Sequence, residues 1–266
     1  MQSTTERDLI LVTGGTGTLG RLVVPQLRAA GRPVRVLSRK PHDGEGGVEH
    51  VVGDLEKDVS IEPAVRDAVT IVHLAGTQKR DEVKAENLVR AARAAGRPHL
   101  VYISVVGADR VPVSSPVDRA MFGYFASKLA AERVIADSGL PWTTVRATQF
   151  HDLLLTTVQQ MAKLPVIPVA SGIRFQPIDT DEVAKRIVEL ALGEPAGLAA
   201  DMGGPDVLEM KAIVRSYLSA RGKHRLTMPM RPPGKAAQAL RDGANLAPGR
   251  AVGHRTWDDF LAERVA

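Results

Sequence analysis

The sequence predicts a doubly wound α/β protein, a parallel sheet covered by helices on both faces, and three observations predict it. Through the first 150 residues, short runs of β-branched and aliphatic residues alternate with longer amphipathic stretches, the rhythm of β-α-β units. The strand runs are apolar almost throughout, as in strands buried on both faces, and do not alternate with polar residues. A cluster of glycines separates the first strand from the first helix.

Taken in order, Leu9–Thr13 reads as a buried strand, followed by the glycines and a helix from about Thr18 to Ala30, closed by Gly31 and Pro33. Pro33–Ser38 is the second strand and His50–Val52 a short third. Val69–Leu74 is the fourth strand, the charge-laced stretch Asp81–Ala95 the helix after it, and His99–Ser104 the fifth strand. A loop bearing proline and serine, Gly107–Asp118, leads to a helix from roughly Tyr124 to Asp137 and then to strand Trp142–Arg146. Past Phe150 the rhythm changes. Pro165, Pro168, Pro177, Pro195, Pro205 and the break Arg231-Pro-Pro-Gly234 cut the chain into short pieces. The expectation is a doubly wound domain over residues 1–150 and a small C-terminal lobe over 151–266, a lid or substrate region packed on the first as one compact body.

Composition narrows the function. With 266 residues and 44% hydrophobic side chains the chain can bury a large core. It has no cysteine, which excludes disulfides, thiolate metal sites and a cysteine nucleophile and makes the cytoplasm the natural compartment. No apolar run approaches the roughly 20 residues of a membrane helix. The stretch Met1–Asp8 is polar, unlike a signal or transit peptide. The net charge of +5 invites a nucleic-acid reading, but the cations are interspersed with acids, as in Lys79–Lys84, and aromatics make up only 4%. A solvated helix face explains that run better, so neither nucleic acid nor membrane is expected as a partner.

Gly14, Gly17 and Gly20 form G-x-x-G-x-x-G, and Gly15, Gly17 and Gly20 also satisfy G-x-G-x-x-G. The spacing alone is weak evidence; its place between a strand and a helix decides. There, bare N–H groups across Thr16, Thr18 and Leu19 and the helix dipole can hold a pyrophosphate, and missing Cβ atoms let it approach. The competing explanation is a tight turn that serves only helix–strand packing. A strand-ending acid about 20 residues on would accept bonds from a free ribose 2′-hydroxyl. Here the second strand ends Ser38-Arg39-Lys40, two cations that can pair with a 2′-phosphate, which favours NADP(H) over NAD(H). A basic pair merely ending a surface strand is the alternative. Asp54 is placed to touch the adenine edge or to cap the next turn.

Four motifs now occur in order: Thr13-Gly-Gly-Thr-Gly-Thr-Leu-Gly20, Gly53-Asp-Leu55, His73-Leu-Ala-Gly76 and Tyr124-Phe-Ala-Ser-Lys128. On them the chain resembles the short-chain dehydrogenase/reductase superfamily, specifically its atypical NmrA-like NAD(P)-binding branch. Trp142–Phe150, Gln176–Ala184 and Thr256–Leu261 carry the resemblance through nearly the whole chain. It implies a Rossmann-like fold, a bound nicotinamide dinucleotide and, in active members, hydride transfer. It further implies that Leu55, Leu74, Ala75 and Gly76 line the coenzyme. Lys128 would bond the nicotinamide ribose, and Tyr124 would donate a proton to a substrate carbonyl. Positions four apart share a helix face, and an ammonium near a phenol favours phenolate, so the pair also makes chemical sense by itself. A packed aromatic beside a surface lysine is the plainer alternative. One departure matters: Val105 stands where catalytic members carry a Ser or Thr. Ser104 falls one residue early and would face the other side of the strand, leaving Ser114 or Ser115 as substitutes.

His73 and His151 read as proton shuttles or as core histidines, with the core favoured for His73. His224 and His254 lack ligand spacing, so no metal site is expected. Thr148, Gln149 and Phe150 follow the sixth strand, where the chain would pass the nicotinamide. Trp142 and Trp257 read as core. The leading expectation is an NADPH-dependent oxidoreductase, monomeric or homodimeric, reducing a small carbonyl or quinone-like molecule. The alternatives are a non-catalytic NADP(H) redox sensor of the NmrA-like type and a nucleotide-sugar epimerase or dehydratase holding NAD.

Overall fold

The computed structural model describes residues 8–42, 47–77 and 79–265. Of the polar N-terminal stretch, Met1–Arg7 lie outside the described residues. In chain order the first elements are β1 (Ile10–Thr13), α1 (Gly20–Ala29), β2 (Val34–Ser38), β3 (Glu49–Val52), α2 (Ile61–Val65), β4 (Thr70–His73), α3 (Asp81–Ala94) and β5 (His99–Val105). Then come α4 (Pro116–Ala136), β6 (Trp142–Ala147), α5 (His151–Met161), β7 (Val166–Ala170), β8 (Arg174–Phe175) and α6 (Thr180–Leu192). The last are β9 (Gly197–Leu198), β10 (Leu208–Glu209), α7 (Met210–Ala220), β11 (Leu226–Met230), α8 (Lys235–Arg241) and α9 (Trp257–Val265).

Two compact units share these elements. The first takes in residues up to Ser104, Ser127–Val145 and Val183–Ala199; the second takes in Val105–Ala126, Arg146–Glu182 and the residues from Ala200 onward. The fold of the first is the expected Rossmann-like one, a parallel central sheet of seven strands in the order β3-β2-β1-β4-β5-β6-β9. Ile10 stands level with Val34 on one side and with Thr70 on the other, so three strands start in step. The order reverses beside β1, which opens a crevice at the carboxyl ends of β1 and β4. Leu11, Ile71 and Leu100 of the sheet bury against Ala85, Leu88 and Ala92 of α3 and against Ala131 and Ile135 of α4. The spacing of the α3 residues is that of one helix face.

Helix α4 corrects the sequence reading, since it begins at Pro116 and not near Tyr124. The Ser115 hydroxyl accepts the Asp118 N–H at 3.0 Å, while Asp118 Oδ2 takes the Ser115 hydroxyl at 2.8 Å and its N–H at 3.2 Å. That is a reciprocal capping box with proline at the first helical position, where its missing N–H costs nothing.

In the second unit, β8 pairs antiparallel with β10 and β7 parallel with β11. Leu154 and Val158 of α5, Ile167 and Val169 of β7, Ile213 and Tyr217 of α7, and Trp257, Phe260 and Leu261 of α9 form its core. Trp257 is thus a core residue, as expected. No helix among the described residues is long and apolar enough to cross a membrane.

Candidate active site

The turn after β1 separates the two explanations of its glycines. Gly14 adopts φ +73°, and a Cβ there would lie 2.7 Å from the Ala75 nitrogen. A Cβ on Gly20 would overlap the Gly14 carbonyl oxygen and the Gly15 backbone. Packing therefore demands both. Gly17 is different: it is exposed, and its Cβ would meet only the Gly14 oxygen, at 3.3 Å. Its N–H donates to the Gly14 carbonyl at 3.0 Å, and its own carbonyl accepts the Arg21 N–H at 3.0 Å. The amides of Thr18 and Leu19 precede the helix ladder, and the exposed bare loop in front of them leaves room for an anion to approach. Thr18 is exposed, Thr16 half-buried and Leu19 buried.

Three further turns flank this one at the carboxyl edge of the same sheet. After β2, Arg39 and Lys40 are exposed, and neither meets a carboxylate among the described residues. The Ser38 hydroxyl fixes that corner by donating to the Lys40 carbonyl at 2.5 Å. After β3, Asp54 Oδ1 accepts the N–H groups of Glu56 at 2.9 Å and Lys57 at 3.3 Å, so this oxygen caps the next turn. Leu55 turns its side chain into the core. After β4, Leu74 and Ala75 are half-buried and Gly76 is exposed.

Lys128 enters at that last turn. Its side chain is only 5% exposed, and its ammonium lies 3.1 Å from Asp81 Oδ2. It donates to the Tyr102 hydroxyl and to the Ile103 carbonyl, both at 3.2 Å. A Cβ on Gly76 would stand 2.9 Å from Nζ, so the bare glycine is what lets a buried cation approach the exposed turn. Asp81 Oδ1 accepts the Thr77 N–H at 2.8 Å and pairs with Lys84 at 3.1 Å. Burial pushes the Asp81 carboxyl up, but the Lys128 ammonium, the Thr77 N–H and Lys84 together outweigh it and hold it below its usual range. Sequence reasoning missed Asp81, Lys84 and Tyr102: an acid and a base on a charge-laced helix read as a solvated face, and Tyr102 as a strand residue.

His73 resolves to the core reading. It is fully buried, its Nδ1 lies 2.7 Å from the Thr13 hydroxyl, and its ring stacks on Tyr102 at 5.3 Å. Burial first, then the Lys128 charge, lowers its pKa to about 3, so it stays neutral. Tyr124 is half-buried on α4, one turn before Lys128, with its ring edge-on to Phe125 at 6.0 Å. The Ser104 hydroxyl is buried without a hydrogen-bond partner among the described residues, and Val105 is buried as well. Ser115, a possible substitute, is spent on the α4 cap.

In the second unit, the Thr148 hydroxyl donates to the Gln176 carbonyl, and Gln149 Oε1 accepts the Gln176 N–H at 3.3 Å. These two side chains brace the chain locally. His151 is fully buried beside Trp257 and Phe260, with its ring centroid 5.0 Å from that of Phe260.

An NAD(P)H-binding family matches residues 14–193. A (4-alkanoyl-5-oxo-2,5-dihydrofuran-3-yl)methyl phosphate reductase of Streptomyces griseus is 31% identical over 207 residues, 75% of this chain and 69% of that protein. An NAD(P)H azoreductase of Xenophilus azovorans is 28% identical over 224 residues, 81% of this chain and 74% of its own. Among solved structures, an NADPH-dependent quinone oxidoreductase of Escherichia coli complexed with NADPH superposes with a TM-score of 0.78 at 16% identity, over 96% of this chain and 99% of that one. A Thermus thermophilus UDP-glucose 4-epimerase complexed with NAD reaches 0.71 at 19% identity, over 97% and 98%. At such identities the structures speak for the fold alone. With the family match spanning most of its length and a reductase relative above 30% identity, the chain belongs to the NAD(P)H-binding family.

Proposed function

We propose that the protein is an NADPH-dependent oxidoreductase that reduces a small carbonyl or quinone-like molecule in the cytoplasm. Residues 1–150 hold the coenzyme and 151–266 supply the substrate region. The carrying observation is the Lys128 ammonium, buried against Asp81 yet abutting the bare turn at Gly76. Gly14, Gly17 and Gly20 would hold the pyrophosphate of a dinucleotide at the switch point, and Lys128 would hold its nicotinamide ribose. Arg39, with Lys40 beside it, binds the 2′-phosphate as an exposed guanidinium that meets no carboxylate among the described residues. Thr16, Thr18, Leu19, Leu74 and Ala75 line the coenzyme, while Asp54 holds the adenine-side turn and Leu55 packs beneath it.

A reduced coenzyme held there would supply the hydride for the carbonyl carbon. The chain's own part is to orient and to protonate. Lys128 fixes the ribose, and Tyr124 gives its phenolic proton to the carbonyl oxygen. The reductase and azoreductase relatives support this class of reaction. A panel of quinones, aldehydes and ketones tests it through NADPH consumption. Turnover of at least one class is expected, and none anywhere would overturn the oxidoreductase reading.

A second reading, a redox sensor that binds NADP(H) without turnover, is favoured by one observation: the Ser104 hydroxyl is buried and Val105 follows it. Tight coenzyme binding without consumption on the same panel, with a protein partner retained only in its presence, would select it.

A further inference from the structure

We propose that the second unit carries a separate site for a compact small molecule bearing two or more phosphate groups. A hollow of about 590 Å³ is lined by Lys163, Arg221, Lys223, Arg225 and Arg264, with no carboxylate among its lining residues. Only Arg264 comes within 4 Å of an acid among the described residues, at 3.9 Å from Asp152. Lys163 donates to Gln160 at 2.8 Å and Arg225 to the His224 carbonyl at 2.9 Å, both neutral acceptors. Lys163, Arg221, Lys223 and Arg225 thus meet no counter-charge among the described residues.

Helix termini account for part of this charge but not for all of it. Helices α5, α7 and α9 end at Met161, Ala220 and Val265, beside these cations. Each carboxyl end carries roughly half a negative charge, about −1.5 for the three. Against five cations, even with Asp152 counted, a surplus of about two to three positive charges remains among the described residues. Mutual repulsion within the hollow costs stability that a bound polyanion would recover.

Shape and chemistry select the ligand. The volume lies within the range of roughly 300–1,000 Å³ typical of small-molecule pockets, and a concave hollow suits neither a flat lipid surface nor an extended strand. Three of the five cations are guanidinium groups, which grip phosphate through paired N–H bonds. The residues belong to none of the coenzyme turns, so the site is distinct from the candidate active site.

Calorimetric titration of the whole chain with inorganic tripolyphosphate at low salt tests this. Saturable one-to-one binding is expected, weakened at least tenfold by Arg221→Ser with Lys223→Ser and equally by Lys163→Ser with Arg225→Ser. The melting temperature should stay the same or rise in both. Affinity should be unchanged in Arg39→Ala. No saturable heat, undiminished binding in the two double variants, or loss in Arg39→Ala instead would each overturn the proposal. Tighter binding to phosphatidylglycerol vesicles or to a single-stranded oligonucleotide than to tripolyphosphate would overturn it as well.

Discussion

The ammonium of Lys128 and the carboxylate of Asp81 lie 3.1 Å apart with their side chains 5% and 1% exposed, and Lys84 approaches the same acid from the other side. One carboxylate thus holds two buried cations together. Removing it differs from removing either cation. Asp81→Asn takes the shared carboxylate away from two buried ammonium groups, and the expected loss in urea denaturation is about 3–5 kcal/mol. Lys128→Met leaves the Lys84–Asp81 pair in place and should cost less than half as much. Equal losses would mean that the two cations do not share the acid.

The proposed proton donor, Tyr124, stands apart from this ion-pair network. Tyr124→Phe removes only the hydroxyl of a half-buried ring and should leave folding and coenzyme affinity unchanged. Turnover should fall about 10²- to 10⁴-fold, the usual contribution of a positioned general acid. A kcat within a factor of three of the parent would remove Tyr124 from the proton-transfer step.

How far the sequence could be read differs between local and distant relations. Strands β1, β2, β4 and β5 follow from apolar runs, and the glycine turn from its place between strand and helix. The α4 start was readable too: Ser115-Pro116-Val117-Asp118 is a capping signature, overlooked because proline and serine density suggested a loop. Ser115→Ala should accordingly cost about 1 kcal/mol in urea denaturation. By contrast, no i,i+4 rule links Lys128 to Asp81, which comes from another helix. The burial that turns a charge-laced helix face into an ion-pair network is a property of the packed fold. Ser104 is an intermediate case. Strand alternation put its hydroxyl on the wrong face, and the structure leaves it buried without a hydrogen-bond partner among the described residues.

The proposed preference for NADPH rests on Arg39. Its guanidinium is exposed, so the strength of its bond to a 2′-phosphate belongs at the low end of charge-assisted hydrogen bonds. Arg39→Ala should weaken NADPH about tenfold, some 1.4 kcal/mol, and leave NADH unaltered. Equal weakening of the two, measured by fluorescence titration, would show that Arg39 does not read the 2′ position.

Acid stability should report His73. Burial first and the Lys128 charge second hold its imidazole at about 3, against an ordinary value of 6.5. An unfolded histidine takes up a proton below about pH 6.5, whereas the folded one stays neutral until about pH 3. Across that window the unfolded state binds more protons, so stability falls as pH is lowered, by up to about 1.4 kcal/mol per pH unit from this residue. His99, lowered mainly by burial, adds to the slope. Asp81, whose carboxyl is depressed in the folded chain, loses its contribution only below the ordinary carboxylate range of about 4. Between about pH 6.5 and 4.5 the histidines therefore dominate these terms. His73→Asn, which can still bond the Thr13 hydroxyl, should lower stability at neutral pH and flatten its decline over that interval. Denaturation curves at several pH values check this, and parallel slopes for parent and variant would place the proton uptake elsewhere.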